Sequence, residues 1–138
     1  MKKTIIDTNA LISFVTDRNP AQQRKIANVL EGAARLNWIV LCPQNVVTEF
    51  VYVLDKVYGI AKKDINAMVT DFIAMPGVEI THEIDMAALL SLWPEEIVDY
   101  GDAIIVVVAK DTAGSELVTF DRGLGAVCKK MKIRTLSL

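Results

Sequence analysis

The sequence has few of the residues that mark several common classes of protein. It contains two cysteines, Cys42 and Cys128, and one histidine, His82, so it lacks the Cys and His cluster typical of a zinc site. The cysteines show no ligand-like spacing and no secretory signal opens the chain, so we expect reduced thiols in a cytoplasmic protein. Seven glycines, four prolines and 52% hydrophobic residues indicate a globular chain.

Long hydrophobic runs are also missing. The uncharged stretch 36–48 contains Pro, Gln and Asn, and it is shorter than the about 20 apolar residues that a membrane-spanning helix needs. We therefore expect no contact with a membrane. A chain of 138 residues is typical of one domain with a sizeable core, so residues 1–138 are predicted to form a single domain.

Basic residues are absent from one long segment. Residues 64–109 contain nine acidic residues and no Lys or Arg, although the net charge of the whole chain is only −2. The plain interpretation is a set of solvated helix faces, and the alternative is a polarised molecule with a cationic surface for an anionic substrate. The second interpretation is favoured by a basic tail that contains Arg122, Lys129, Lys130, Lys132 and Arg134.

Short apolar runs alternate with longer helical patterns, which is typical of a parallel α/β sheet. Strands are expected at residues 4–6, 38–42, 78–80, 115–120 and 133–138. Residues 101–113 have the composition of a strand, but their length and the better strand that follows favour a buried helix.

Acidic side chains stand at the ends of two expected strands and before this helix. Asp7 and Asp121 directly follow strands, while Asp99 and Asp102 precede the apolar run 103–109. Each has a plain alternative, because Asp is a preferred helix N-cap that contributes about 1 kcal/mol. Taken one at a time, these residues do not distinguish capping from chemistry.

Glu49 does not fit the capping alternative. It is the only charged residue between Asn37 and Leu54, and it lies within an apolar helical pattern. Either it occupies an exposed position on a mostly buried helix, or it faces the interior and needs a partner or a metal.

Topology brings these acids together. The carboxyl ends of parallel strands open on one edge of a sheet, and ligands bind at that edge. Converging carboxylates raise one another's pKa unless a cation is present. Oxygen ligands suit Mg²⁺ or Mn²⁺, so the sequence predicts a divalent-metal site that includes Asp7, Asp102 and Asp121.

Four segments of the chain resemble the motifs of PIN-domain ribonucleases. They are "IIDTNALIS", "TEFVYVL", "DYGDAIIVVVAK" and "LVTFDRGL", which occur in the family's order between residue 4 and about residue 125. The resemblance implies an α/β fold, with a five-stranded parallel sheet in the order 3-2-1-4-5 flanked by helices. It also implies a metal-dependent endoribonuclease.

Site residues follow from the resemblance position by position. The implied catalytic and metal-binding acids are Asp7, Glu49, Asp102 and Asp121. The implied supporting residues are Thr8, Asn9, Asp99 and Thr119. Among these, Asn9 is expected to orient Asp7, and Thr119 to hydrogen-bond the site or the substrate.

The compact length resembles VapC-type toxins of toxin–antitoxin pairs, which implies an antitoxin partner and a homodimer. Our hypothesis is therefore Mg²⁺- or Mn²⁺-dependent cleavage of single-stranded RNA, with the substrate phosphates held by Arg122, Lys129 and Lys130. Two alternatives remain. One is an aspartate-based phosphatase, which commonly has a second Asp where Asn9 stands. The other is a non-catalytic binding module with the same fold.

Overall fold

A computed structural model describes residues 1–136 of the chain. Strands and helices alternate through most of this part. In chain order the elements are β1 (Lys3–Ile6), α1 (Thr8–Val15), α2 (Pro20–Ala34), β2 (Ile39–Pro43), α3 (Gln44–Lys56), α4 (Lys62–Ala74), β3 (Val78–Thr81), α5 (Met86–Leu92), α6 (Tyr100–Asp111), β4 (Glu116–Val118) and α7 (Arg122–Lys130).

Within the described residues the sheet has four strands in the order β3-β2-β1-β4, and every pair is parallel. The predicted α/β class and the order of these four strands are confirmed, but the expected fifth strand is not formed. Its segment makes a single parallel bridge, from Thr135 to Leu117, on the free side of β4. Residues 137 and 138 of that predicted strand lie outside the described part.

The ambiguous apolar segment is a helix, as its length indicated. Residues 103–109 of α6 are all buried, which explains why the segment shows no polar face and looks like a strand by composition. A helix buried on all sides keeps its position through packing. The first turn of α6, which carries Asp102, is therefore firmly placed.

Several helices begin at an Asp or Asn whose side chain accepts a backbone N–H. This holds for α1, α2, α5, α6 and α7, with N-caps at Asp7, Asn19, Asp85, Asp99 and Asp121. Two of these helices follow neighbouring strands, with one residue between β1 and α1 and three residues between β4 and α7. Their N-termini consequently lie side by side at the carboxyl edge of the sheet.

No helix in the described part of the chain is long and apolar enough to cross a membrane.

Candidate active site

Asp7 lies at the centre of the carboxyl edge and is almost fully buried, with 3% of its surface exposed. One carboxylate oxygen accepts the backbone N–H of Ala10 at 2.8 Å, which is an N-cap bond. The other accepts the hydroxyl of Thr119. The capping interpretation of Asp7 is therefore correct, and the cap also fixes the orientation of its carboxylate within the site.

Thr119 connects the two acids that follow neighbouring strands. Besides donating to Asp7, its Oγ1 accepts the backbone N–H of Asp121 at 3.0 Å. Asp121 in turn caps α7 by accepting the N–H of Leu124 at 2.9 Å. The hydroxyl of one residue thus holds both post-strand segments together.

Glu49 reaches the same edge from α3. Its Oε2 accepts the hydroxyl of Thr8 at 3.0 Å, and Thr8 directly follows Asp7. The side chain of Glu49 is exposed, as the plain interpretation of this residue expected. Exposure and membership of the acidic cluster are compatible here, because the cluster opens to solvent.

The two acids of α6 have different roles. Asp99 is the N-cap, and its Oδ1 accepts the N–H of Asp102 at 2.8 Å. Asp102 belongs to the first turn of the helix, so the capping alternative is wrong for this residue. Its half-buried carboxylate does not cap the helix.

Electrostatic interactions show that these carboxylates share one environment. Burial raises the pKa of Asp7 from 3.8 to about 6, and the charges of Asp121 and Glu49 add to the rise, whereas hydrogen bonds from Thr119 and Ala10 oppose it. Burial also raises the pKa of Asp102 to about 6, with further contributions from Asp99, Asp121, Asp7 and Glu49. The four predicted acids and Asp99 are therefore within electrostatic range of one another.

Among the described residues, the charges that shift these two pKa values are all negative. No three His, Cys, Asp or Glu side chains in residues 1–136 already stand close enough to hold a metal ion. The donor chemistry, which consists of carboxylate oxygens, fits a hard divalent cation such as Mg²⁺ or Mn²⁺.

Three of the supporting residues make contacts in the cluster. Thr8 and Thr119 donate to acids, and Asp99 positions α6. Asn9 does not take the expected place beside Asp7, whose oxygens are held by Ala10 and Thr119. Instead, the backbone carbonyl of Asn9 accepts a hydrogen bond from Arg18 at 2.8 Å, and its side-chain Oδ1 is buried without a hydrogen-bond partner in the described structure.

The three predicted phosphate contacts are not all near the acids. Arg122 is the first residue of α7 and adjoins Asp121. Lys129 and Lys130 lie in the last turn of the same helix, about 12 Å further along its axis at 1.5 Å per residue. Lys130 also pairs with Glu96, their N and O atoms being 3.6 Å apart. These lysines can meet only an extended substrate.

Sequence reasoning missed two residues of the cluster, Asn45 and Gly101. Nδ2 of Asn45 donates to the carbonyl oxygen of Gly101 at 3.4 Å, and Gly101 lies between Asp99 and Asp102. The available signal was spacing, because Asn45 is four residues before Glu49 and shares its helix face.

A parallel sheet with acids from separate segments at its carboxyl edge defines a class of α/β proteins in which that edge is the expected ligand site. A family model of the PIN domain matches residues 4–130. The chain therefore belongs to the PIN-domain family, and the resemblance seen in the sequence is confirmed. A search of curated proteins finds no match.

Three of the solved structures with a similar fold illustrate the likeness. DNA-bound VapBC from Salmonella typhimurium has a TM-score of 0.70 and 19% identity, covering 99% of this chain and 98% of that one. VapBC2 from Rickettsia felis, bound to a promoter DNA fragment, has a TM-score of 0.65 and 13% identity, with coverages of 98% and 97%. VapC20 from Mycobacterium tuberculosis, a toxin that cleaves the sarcin–ricin loop, has a TM-score of 0.61 and 17% identity, with coverages of 89% and 93%. At these identities the likeness establishes the fold.

Proposed function

We propose that this chain, as one domain, is a divalent-metal-dependent endoribonuclease that cleaves single-stranded RNA. The observation that carries the proposal is the convergence of Asp7, Glu49, Asp102 and Asp121 from four separate segments onto one edge of the sheet, with no base among the charges acting on Asp7 or Asp102. Such an arrangement costs free energy in a metal-free protein, and phosphodiester hydrolysis by a metal-bound water gives it a use.

In this proposal the four acids are the ligands of Mg²⁺ or Mn²⁺. When bound, the ion would lower the pKa of a water molecule and neutralise charge on the phosphate. Thr119 would keep the carboxylate of Asp7 oriented by its hydrogen bond, and Thr8 would do the same for Glu49. Asp99 would hold the first turn of α6, and thereby Asp102, in place.

Substrate binding in this proposal depends on charge outside the acidic cluster. Arg122, at the start of α7, would contact a phosphate near the cleaved bond, because it is adjacent to Asp121. Lys129 and Lys130 would contact the backbone further along the strand. Unpaired bases would be read by stacking and edge contacts, which single-stranded RNA offers.

We further propose that the chain is the toxin of a toxin–antitoxin pair, with a cognate antitoxin and a homodimeric state. This rests on the fold shared with the VapBC structures and VapC20 over almost the full length of each chain. A cytoplasmic location also remains part of the proposal, since Cys42 and Cys128 are buried free thiols.

An RNA cleavage assay tests the catalytic proposal. The purified chain is incubated with single-stranded RNA in Mg²⁺, in Mn²⁺ and in EDTA, and its melting temperature is measured under the same conditions. We expect internal cleavage and a raised melting temperature with either metal, and neither effect in EDTA. Asp7→Asn, which keeps an oxygen for the Ala10 cap, is expected to remove cleavage. Metal-independent cleavage that survives in Asp7→Asn would refute the assignment.

The same preparation separates the two alternatives. Hydrolysis of a small phosphate monoester, without cleavage of RNA, would favour an aspartate-based phosphatase. No hydrolysis and no metal-dependent change in melting temperature would favour a binding module. Asn9, at the position where such phosphatases commonly place a second Asp, argues against the first alternative.

A further inference from the structure

Asn45 and Gly101 form a contact between α3 and α6 that the roles above do not use. The side-chain amide of Asn45 donates to the carbonyl oxygen of Gly101 at 3.4 Å. Asn45 lies one helical turn before Glu49, and Gly101 lies between Asp99 and Asp102. The bond therefore joins the two helices beside the carboxylates that each contributes to the acidic cluster.

Glycine at position 101 is explained by space rather than by backbone conformation. A Cβ atom built there would lie 3.2 Å from Oδ1 of Asp99, 3.9 Å from Oε2 of Glu49 and 3.9 Å from Nδ2 of Asn45. Gly101 has no positive φ, unlike Gly59, Gly77 and Gly114. The distance to Asp99 is shorter than an ordinary Cβ contact, whereas 3.9 Å from Glu49 and Asn45 is normal van der Waals contact. A methyl group at position 101 would therefore displace the carboxylate of Asp99 rather than push α3 away from α6.

A second observation concerns the amide oxygen of Asn45. This Oδ1 is buried and has no hydrogen-bond partner within the described residues. Reversing the amide would place an oxygen against the carbonyl oxygen of Gly101, so the hydrogen bond determines the orientation. A buried acceptor without a donor is costly, and a water in the hydration shell of Mg²⁺ is a suitable donor.

We propose that Asn45 is a positioning residue of the acidic cluster, with the carbonyl oxygen of Gly101 as its partner, and that the missing side chain of Gly101 leaves room for the carboxylate of Asp99. Asn45 holds α3 against α6 and so sets the spacing between Glu49 and the acids of α6. Its Oδ1, which has no partner within the described residues, would be available to accept a hydrogen bond from a water molecule when a cation is bound. This inference rests on the proposed function, because it concerns the same metal-binding carboxylates.

Mn²⁺ binding measured by calorimetry near neutral pH tests the proposal. The variants are Asn45→Ala and Gly101→Ala, each compared with a matched control on another helix. Gly125→Ala adds a methyl group to α7 where nothing lies within 4 Å, and Asn28→Ala removes an exposed amide from α2. Loss of an outer-shell partner typically weakens metal binding by about 10- to 100-fold.

We expect the dissociation constant for Mn²⁺ to rise at least about tenfold in both test variants and to stay near the wild-type value in both controls. Metal-free Gly101→Ala should melt close to the wild type, because the helix preference of alanine opposes the crowding of the Asp99 cap. If Asn45→Ala does not fold, Asn45→Ser, which also lacks the amide, takes its place. Wild-type affinity in a folded Asn45 variant would overturn the positioning role, and wild-type affinity in Gly101→Ala would overturn the need for glycine beside Asp99. Either result would leave the nuclease proposal intact. A wild type that neither binds Mn²⁺ nor cleaves RNA would overturn both.

Discussion

At the scale of single residues, capping and membership of the acidic cluster coincide. Asp7, Asp99 and Asp121 each accept a backbone N–H at the start of a helix, and each is also one of the carboxylates that act on one another at the sheet edge. A cap restricts a carboxylate to one orientation, which is an advantage for a ligand. The choice between a cap and a functional acid is therefore a false one for these three residues.

Asp102 does not cap a helix, so Asp102→Asn removes its charge without removing a capping hydrogen bond. We expect this change to abolish RNA cleavage. We also expect it to raise the stability of the metal-free protein by about 1 kcal/mol after allowance for solvent screening, because it removes a repelled charge. At this chain length that corresponds to a rise of about 3–5 °C in melting temperature.

The neighbouring cap provides the contrast. Asp99→Ala removes the acceptor for the N–H of Asp102 and should lower stability by about 1 kcal/mol. Thermal denaturation in EDTA measures the stability of both variants, Asp102→Asn and Asp99→Ala. A fall in stability in Asp102→Asn together with surviving cleavage would contradict the role assigned to Asp102.

The pKa shifts predict an unusual pH dependence for the metal-free protein. Asp7 has a folded-state pKa of about 6 against 3.8 as its ordinary value, so between these values the folded state binds more protons than the unfolded state. Its contribution to stability is fully present below about pH 4 and is lost as the pH rises through 6. For a shift of this size the loss is about 3 kcal/mol. Asp102 adds a smaller effect of the same sign.

Chemical denaturation in EDTA at a series of pH values measures this dependence. Asp7→Asn is the control, since it keeps the cap acceptor but cannot ionise, and its stability should vary less between pH 4 and 6 than that of the wild type. Saturating Mn²⁺ should reverse the trend, because metal ligation requires ionised carboxylates. If the stability of the wild type and of Asp7→Asn varied in the same way with pH, the raised pKa of Asp7 would be refuted.

At the scale of elements, α6 explains how a carboxylate comes to stand before an apolar run. Residues 103–109 are buried, so the helix is anchored over most of its length while its first turn reaches the open edge of the sheet. The apolar run gives no ligand to the site. It holds Asp102 at a fixed place, as packing holds any side chain whose helix is enclosed.

A substitution at Val106 tests whether the apolar part of α6 contributes to stability without contributing a metal ligand. Val106 is fully buried, and Val106→Ala should lower the free energy of unfolding by about 1–3 kcal/mol through the cavity that it leaves. At a temperature where the variant stays folded, its Mn²⁺ affinity should remain near the wild-type value. Val98→Ala, at a residue that is 82% exposed, is the matched control for urea denaturation. A large loss of Mn²⁺ affinity in folded Val106→Ala would show that the rigidity of the helix itself limits binding.

At the scale of the whole molecule, an acid at the start of a strand is paired with basic residues, whereas the acids at the carboxyl edge are not. Glu116, at the start of β4, is 8% exposed and pairs with Lys2 at 3.0 Å and with Arg134 at 3.3 Å. These ion pairs connect the first residues of the chain and the segment after α7 to the sheet. The acids at the carboxyl edge lie near one another instead, which leaves that edge negative.

Glu116→Gln should loosen the connection between the two ends of the chain. The side chain keeps its size but loses its charge, and we expect a loss of about 1 kcal/mol, because Lys2 and Arg134 are exposed and stay solvated without their partner. Urea denaturation measures the loss. Glu79→Gln is the control, since its contact with Lys3 is exposed and its N and O atoms are 3.9 Å apart. Equal effects of the two changes would show that burial adds nothing to the Glu116 pairs.

Much of the architecture was predictable from the sequence because the signals are local. The pattern of short apolar runs predicted the α/β class, and Asp7 and Asp121 were placed at the sheet edge because each directly follows a strand. The predicted fifth strand is reduced, within the described residues 133–136, to one parallel bridge between Thr135 and Leu117 of β4. Strand formation depends on long-range pairing, which composition does not report.

The sequence by itself determined which carboxylates the chain possesses, where four of the five expected strands fall, and that the segment 64–109 carries acids without bases. The tertiary structure decided which donors hold those carboxylates. Thr119 rather than Asn9 orients Asp7, Asp99 rather than Asp102 caps α6, and Asn45 meets Gly101 across 56 positions of the chain. The reason is physical: spacing along a helix or strand fixes only the face on which a side chain lies, whereas a partner from a distant segment is selected by packing of the whole fold.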